Sequence, residues 1–326
     1  MAFPSLRSRI LVTQRLPDAV EDYLRKQLGA RLSPDDSGLN RAELEAAMCN
    51  HDIILATITD RFDAELLAMA ERTVKLIANF GTGVDHIDLA AAQALGIMVT
   101  NTPDALTEAT AELALLLMLT AARRGGEGER ELRSGQWAGW RPTHMMGMGL
   151  AGRTLGLVGF GRIAQCFGLK AQALGMNVRY YSRRPFVADN PGRLVAERVD
   201  TLAELAASSD VLSLHVPGGQ ATHHLIDANI LSVMKPHSIL VNTARGPVVD
   251  EAALAHALEE GVIGAAALDV YEREPTVNPR LLRSERSVFL PHMGSATIEA
   301  RTAMGFQATR NIEAFLRGEA PPNRVA

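Results

Sequence analysis

Residues 155–184 read LGLVGFGRIAQCFGLKAQALGMNVRYYSRR, and few folds accept such a stretch. Leu155, Leu157 and Val158 form a short apolar run that stops on Gly159-Phe160-Gly161-Arg162-Ile163-Ala164. From Ile163 the apolar residues fall at helical spacing (Ile163, Phe167, Leu169, Leu174). Gly175 breaks the helix, and Val178-Arg179-Tyr180-Tyr181 reads as a second strand. Strand, glycine turn, helix, strand is the opening βαβ unit of a dinucleotide-binding domain. Gly159 allows the tight turn, Gly161 lets backbone approach a pyrophosphate at the helix N-terminus, and Ala164 takes the third, packing position. GxGxxA alone is equally an ordinary strand-to-helix turn; its place between a strand and a helix favours the nucleotide site.

The same alternation extends to both sides. Before the fingerprint, apolar strands are expected at Arg9–Thr13, Asp52–Ala56, Lys75–Asn79 and Ile97–Thr100. Helices are expected at about 17–28, 40–48, 63–70 and 88–95. After it, strands are expected at Val211–His215, Ser238–Asn242, Ala265–Val270 and Val288–Leu290, with helices near 202–207, 227–234 and 250–260. This is an α/β chain with parallel sheets covered on both faces. A last helix, about 297–316, has no strand after it and is expected to cross back to the first domain.

Two segments fit no sheet. Asp104–Arg123 reads as one long helix, apolar all round and so buried between two bodies, ended by Gly125, Gly126 and Gly128. Glu129–Leu150 holds both tryptophans, Trp137 and Trp140. It is either a surface excursion packed on its own domain or a subunit interface.

At 326 residues there is room for two domains, and 47% hydrophobic with 21% charged residues describes a globular chain. The net charge of 33 − 37 = −4, without a long basic run, argues against a nucleic-acid partner. Cys49 and Cys166 lie far apart and outside metal spacing, which fits a reducing cytoplasm. The N-terminus lacks a signal-peptide apolar core, and Leu113–Leu119 is too short a run to span a bilayer. A soluble, cytoplasmic protein without membrane partners is the expectation.

In open parallel sheets ligands bind at the carboxyl ends of strands, which selects Thr243, Arg245, Asp269, Glu274 and His292. Arg245 suits bidentate capture of a carboxylate, His292 can give and take a proton near neutral pH, and Glu274 could hydrogen-bond the histidine and favour its charged form. Each alone is more often a solvated surface charge; their shared placement on a nucleotide fold is what singles them out. His223-His224 has no third ligand at useful spacing, so no metal site is expected. Gly-x-Ser-x-Gly is absent, which leaves no nucleophile elbow.

Several long motifs, in order, carry a resemblance: GTGVDHIDL (81–89), GFGRIA (159–164), NTARGPVVDEAAL (242–254), ALDVYEREP (267–275) and PHMGSAT (291–297). The chain resembles the D-2-hydroxyacid dehydrogenase family over nearly its whole length. Its wording at 76–122 and 137–142 is most similar to the glyoxylate/hydroxypyruvate reductases. The intervals of 29 from Arg245 to Glu274 and 18 from Glu274 to His292 fit that family's Arg, Glu and His.

The resemblance implies two Rossmann-like or flavodoxin-like domains with an active-site cleft between them. Residues 103–292 would bind the dinucleotide, and 1–102 with 293–326 the substrate. It implies NAD(P)H-dependent reduction of a small 2-keto acid, with His292 as proton donor, Glu274 orienting it, and Arg245 binding the carboxylate and polarising the carbonyl. Backbone N–H groups of Gly83 and Val84 would hold the carboxylate's other side, and Leu55, Ala56 and Met293 would lie beside the acid. Asp269 would meet the nicotinamide carboxamide, with Thr110 near the ring. Gly159, Gly161, Arg162, Ile163, Pro217, Thr222, Thr243, Arg245, His292 and Gly294 would complete the cofactor site. A homodimer is also implied, built on 104–123 and the tryptophan segment. The alternatives are a dehydrogenase for another 2-keto acid, of the D-lactate or D-glycerate type, or a nucleotide-sensing corepressor-like protein.

Cofactor choice can be read from the residues themselves. An NAD-specific site places a carboxylate about 20 residues past the fingerprint, where it repels a 2′-phosphate. Here no carboxylate occurs from Gly159 until Asp189, and Ser182 stands 23 residues past Gly159 with Arg183 and Arg184 following. Hydroxyl and guanidinium groups suit a phosphate, so NADPH is expected ahead of NADH, with NADH use still possible.

Overall fold

A computed structural model describes residues 9–183 and 194–326. The chain divides into two compact units, one running up to Leu106 and resuming at Ser295–Ala326, the other comprising Thr107–Gly294.

The first unit is built on strands β1 (Ile10–Val12), β2 (Ile53–Ala56), β3 (Leu76–Asn79) and β4 (Met98–Thr100), parallel and in that order. Helices α1 (Asp18–Leu28), α2 (Arg41–Asn50), α3 (Ala64–Leu67) and α4 (Leu89–Ala94) fall between them. Every residue of β1, β2 and β3 is buried, as a parallel sheet covered on both faces requires. Side chains fix the helix starts: Asn40 and Glu43 form a reciprocal capping box, and Asp63 and Asp88 each accept from the third helical N–H. Arg31 bridges to the free side of β1 before the chain crosses to β2, so the strand order reverses at β1 as in a flavodoxin-like sheet. One sheet face packs Met48, Ile54, Phe62 and Ile77; the other packs Val20, Leu24, Leu55 and Leu76 against Ala308 and Ile312 of the C-terminal helix Ile298–Leu316. Gly305 lets that helix approach α1, since a Cβ there would meet Val20 at 2.6 Å.

The second unit carries seven parallel strands. These are β5 (Thr154–Val158), β6 (Asn177–Tyr181), β7 (Ala196–Arg198), β8 (Val211–Leu214), β9 (Ile239–Asn242), β10 (Ala265–Leu268) and β11 (Val288–Phe289). Their order is β11-β10-β9-β8-β5-β6-β7. Helices α5 (Thr107–Ala122) and α6 (Gly125–Arg133) precede the sheet, and α7 (Arg162–Ala173), α8 (Leu202–Ser208), α9 (Ala228–Val233) and α10 (Glu251–Glu259) connect its strands. From β5 the chain builds outward through β6 and β7, then returns to place β8 on β5's other side. The switch point therefore falls at the β5–β8 seam, where a parallel sheet opens a crevice. The alternation read from the sequence is the fold: α/β, with two parallel sheets.

Three local expectations need correction. The helix expected over 104–123 begins at Thr107, and Gly125, Gly126 and Gly128 do not end it; they lie inside α6. The break is Arg124, in the left-handed region at φ 53°, whose guanidinium bonds Glu127. Nor is α5 buried all round, because Leu116 is 52% exposed. β7 was not anticipated: Ala196-Glu197-Arg198 is a charged edge strand without apolar alternation. Trp137 and Trp140 are 52% and 82% exposed. No described helix is long and apolar enough to cross a membrane.

Candidate active site

All carboxyl ends of a parallel sheet share one edge, and the second unit gathers its polar strand-end residues there. Gly159, directly after β5, has φ 87°, and a Cβ on it would lie 2.6 Å from the His215 carbonyl across the β5–β8 seam, so only glycine fits. Gly161 is the N-cap of α7, with no side chain capping the helix and open space where its Cβ would stand. The first N–H groups of α7 are thus presented to an anion. Arg162 and Ile163 begin the helix, and Gln165 ties its first turn to the loop through the Phe160 carbonyl at 2.9 Å. After β8, Thr222 Oγ1 donates to the carbonyls of Pro217 (2.7 Å) and Gly219, closing that loop on itself. After β9, Thr243 Oγ1 is buried without a partner among the described residues. An orphaned hydroxyl, a glycine cradle and an uncapped helix on one sheet edge fit a dinucleotide.

The ionisable set lies on the neighbouring loops. Asn242 clamps the turn after β9, donating to the Arg245 carbonyl and accepting from the Ala244 N–H. Arg245 Nη1 donates to the Ala244 carbonyl at 2.8 Å. Gly246 lies on the backbone of Tyr271 and Glu272, where a Cβ would come within 1.8 Å of the Tyr271 carbonyl carbon. That close approach brings the arginine loop against the loop carrying Glu274. Glu274 Oε1 accepts from the Tyr271 N–H at 3.0 Å, and Oε2 lies 2.7 Å from His292 Nδ1. Burial pushes the Glu274 carboxyl up, but the hydrogen bond and charge of His292, the Tyr271 N–H and the charge of Arg245 together hold it below the ordinary value. An ionised carboxylate only accepts, so Nδ1–H of His292 is the donor and Nε2 is the ring's other hydrogen-bonding atom.

His292 itself sits at φ 53°, a left-handed conformation that costs a non-glycine residue about 1 kcal/mol. Asp269 holds it there. Its carbonyl accepts from the His292 N–H at 2.8 Å, and its carboxylate accepts from Met293 N–H at 2.6 Å and Gly294 N–H at 2.8 Å. Thr110 Oγ1 completes the turn by donating to the Gly294 carbonyl at 3.0 Å. Asp269 and Thr110, which the resemblance implies as nicotinamide contacts, also brace the histidine turn. Burial raises the Asp269 carboxyl to about 6, against the Met293 and Gly294 N–H groups and the nearby His292 charge.

In the first unit, Gly83 and Val84 lie half-buried on the loop after β3. Leu55 and Ala56, which the resemblance places beside the acid, are completely buried in β2, and the chain after β2 first reaches the surface at Ile58, 39% exposed. Met293, in the second unit, is 38% exposed. Ser182 and Arg183 close the described part of the stretch after β6; Arg184 lies outside the described residues. His223 and His224 stack 3.9 Å apart, and His224 bonds Glu272.

Sequence reasoning missed three groups. Arg198, at the end of β7, donates to the Ser182 carbonyl at 3.4 Å and adds a cation beside that strand end. Asn79 and Asn101 hold the Gly83 loop from beneath. Only the pairing of β6 with β7 could have exposed the first, and Asn79 reads in the sequence simply as the end of a strand.

Residues 115–294 match the family described as D-isomer specific 2-hydroxyacid dehydrogenase, NAD binding domain. The chain is 42% identical to a glyoxylate reductase of Thermococcus litoralis, covering 98% of this chain and 97% of that protein. It is also 42% identical to a protein of Thermus thermophilus whose crystal structure superposes with a TM-score of 0.89, covering 98% of this chain and 100% of that one. An NADPH-dependent glyoxylate/hydroxypyruvate reductase of Sinorhizobium meliloti, solved in complex with NADP and malonate, is 34% identical with a TM-score of 0.85, covering 98% and 97%. With this much of its length in common with them, the chain belongs to the D-isomer specific 2-hydroxyacid dehydrogenase family and, with it, to the NAD(P)-dependent oxidoreductases.

Proposed function

We propose that this enzyme reduces a small 2-keto acid, glyoxylate or hydroxypyruvate, to the D-2-hydroxy acid, with NADPH as the preferred reductant. In this reading the Thr107–Gly294 unit holds the dinucleotide and the other unit binds the substrate carboxylate. The observation that carries it is the 2.7 Å His292–Glu274 pair with the Arg245 charge beside it, the acid–base set this chemistry needs. The glyoxylate reductase of Thermococcus litoralis and the glyoxylate/hydroxypyruvate reductase of Sinorhizobium meliloti support the substrate class.

The bound cofactor supplies a hydride to the carbonyl carbon. Glu274 orients His292 through Nδ1, so that Nε2–H protonates the carbonyl oxygen as it becomes an alkoxide. Arg245 binds the carboxylate and draws electron density towards the carbonyl oxygen. Gly83 and Val84 N–H groups take the carboxylate's other oxygen, and Leu55, Ala56 and Met293 limit the size of the acid. Gly159, Gly161, Arg162 and Ile163 hold the pyrophosphate, while Pro217, Thr222, Thr243 and Gly294 line the cofactor's course. Ser182, Arg183 and Arg198 receive the 2′-phosphate.

Exposed Leu116, Leu132, Trp137, Trp140 and Met146 give α5, α6 and the segment after them a large apolar surface. We read it as the contact of a cytoplasmic homodimer.

Initial rates with NADPH and NADH against glyoxylate, hydroxypyruvate, pyruvate and phenylpyruvate test the reading. The small acids with NADPH should give the highest kcat/KM. Arg183→Ala should raise KM for NADPH and leave NADH nearly untouched. Equal or better use of phenylpyruvate overturns the substrate class, and a preference for NADH overturns the phosphate site.

A further inference from the structure

We propose that Asn79 is the positioning residue that aims the Gly83 and Val84 N–H groups at the substrate carboxylate; the inference rests on the assignment of that N–H pair given above. Asn79 ends β3 with its side chain wholly buried. Its Nδ2 donates to two carbonyls of the same loop, Gly81 and Gly83, each at 2.9 Å. Its Oδ1 accepts from His86 Nε2 at 3.1 Å, which fixes which end of the carboxamide faces the loop. The intervening carbonyl, Thr82, accepts from Asn101 Nδ2 at 2.8 Å. Three successive carbonyls are thereby drawn to the asparagines.

A planar trans peptide points its C=O and N–H in opposite directions. The Thr82 carbonyl shares a peptide with the Gly83 N–H, and the Gly83 carbonyl shares one with the Val84 N–H. With both carbonyls held, both N–H groups are directed away from the asparagines, and neither is donated to another described residue. Two adjacent N–H donors can serve one carboxylate oxygen, and hydrogen bonds to an anion are the stronger kind. Were the loop to turn over, the same place would present carbonyl oxygens and repel the anion.

Asn79→Asp keeps the side chain's shape but sets an oxygen against both carbonyls. The tests are steady-state reduction of glyoxylate with NADPH, competitive inhibition by oxalate, and NADPH affinity by fluorescence titration. We expect KM for glyoxylate and Ki for oxalate to rise together by about tenfold or more, with kcat within about threefold and NADPH affinity unchanged. KM and Ki within twofold of wild type overturn the inference, and so does a loss of kcat at constant KM. Should Asn79→Asp fail to fold, half-buried Asn101→Ala tests the Thr82 carbonyl in the same assay. A rise of about threefold in both constants is then expected, and no rise overturns the inference. A wild-type enzyme that reduces no 2-keto acid would defeat the parent reading instead, and oxalate binding would then report on the loop alone.

Discussion

His292, Glu274 and Arg245 stand 47 residues apart from first to last, yet two backbone devices make them neighbours. The first is Gly246, whose lack of a side chain lets the arginine loop lie on Tyr271 and Glu272. Gly246→Ala should therefore lower the melting temperature by several degrees and depress kcat, because neither backbone can withdraw without moving the loop that carries Arg245 or Glu274. Thermal unfolding and glyoxylate turnover check both; an alanine variant with wild-type values would show that the loops do not depend on this contact. The second is Asp269, which holds His292 in its left-handed turn. Burial pushes the Glu274 carboxyl up, but His292, the Tyr271 N–H and Arg245 hold it below the ordinary value, so it is the anionic partner of His292 at neutral pH. In Glu274→Gln the fall of reductive kcat/KM with rising pH should begin at lower pH than in wild type. An unchanged pH profile would remove Glu274 from the proton pathway. These three residues were legible in the sequence because their spacing and strand-end placement carry a family's wording. Asn79 and the orphaned Thr243 hydroxyl acquire meaning only from what surrounds them.

Among the elements, the buried apolar strands and side-chain-capped helices were readable almost to the residue. Burial on both sheet faces and Asx or Thr caps leave local marks, as at Asn40, Asp88, Asp250 and Thr297. β7 left none, because an edge strand of two charged residues is held by its partner rather than by its own pattern. The lower edge of the second sheet is pinned by Asp210, whose side chain is 5% exposed. It accepts from the Thr154 N–H at 2.9 Å and meets Arg153, Lys235 and His237. Burial pushes its carboxyl up, but the Thr154 N–H, His237 and Lys235 outweigh it and lower the pKa from 3.8 to about 2. A depressed folded-state value means stability present above the ordinary carboxyl range and lost as pH falls through the folded value. At pH 7 this amounts to about 2 kcal/mol, from 3.8 − 2 at 1.36 kcal/mol for each pH decade, and roughly half is gone at pH 3. Urea unfolding of wild type and Asp210→Asn should give a gap at pH 7 that narrows by pH 3; an equally wide gap at both would contradict the ion cluster.

For the whole molecule, the sequence carried the existence of two α/β bodies and the return of the last helix. It did not carry the fate of the tryptophan segment, because an exposed and a buried tryptophan read alike. The described chain leaves Trp140 82% exposed, with Leu116 and Met146 also bare, large apolar side chains of the kind an interface covers. Sedimentation at micromolar concentration should give the mass of a dimer, and Trp140→Asp should shift it towards monomer. A wild-type monomer would return the segment to a surface excursion. The proposed reduction rests on proton donation by His292, and one comparison tests it: kcat for glyoxylate reduction at saturating NADPH, wild type against His292→Ala. A fall of about 10² to 10⁴ is expected, the worth of a positioned general acid, with NADPH affinity retained. A His292→Ala enzyme that keeps near-wild-type kcat would contradict it.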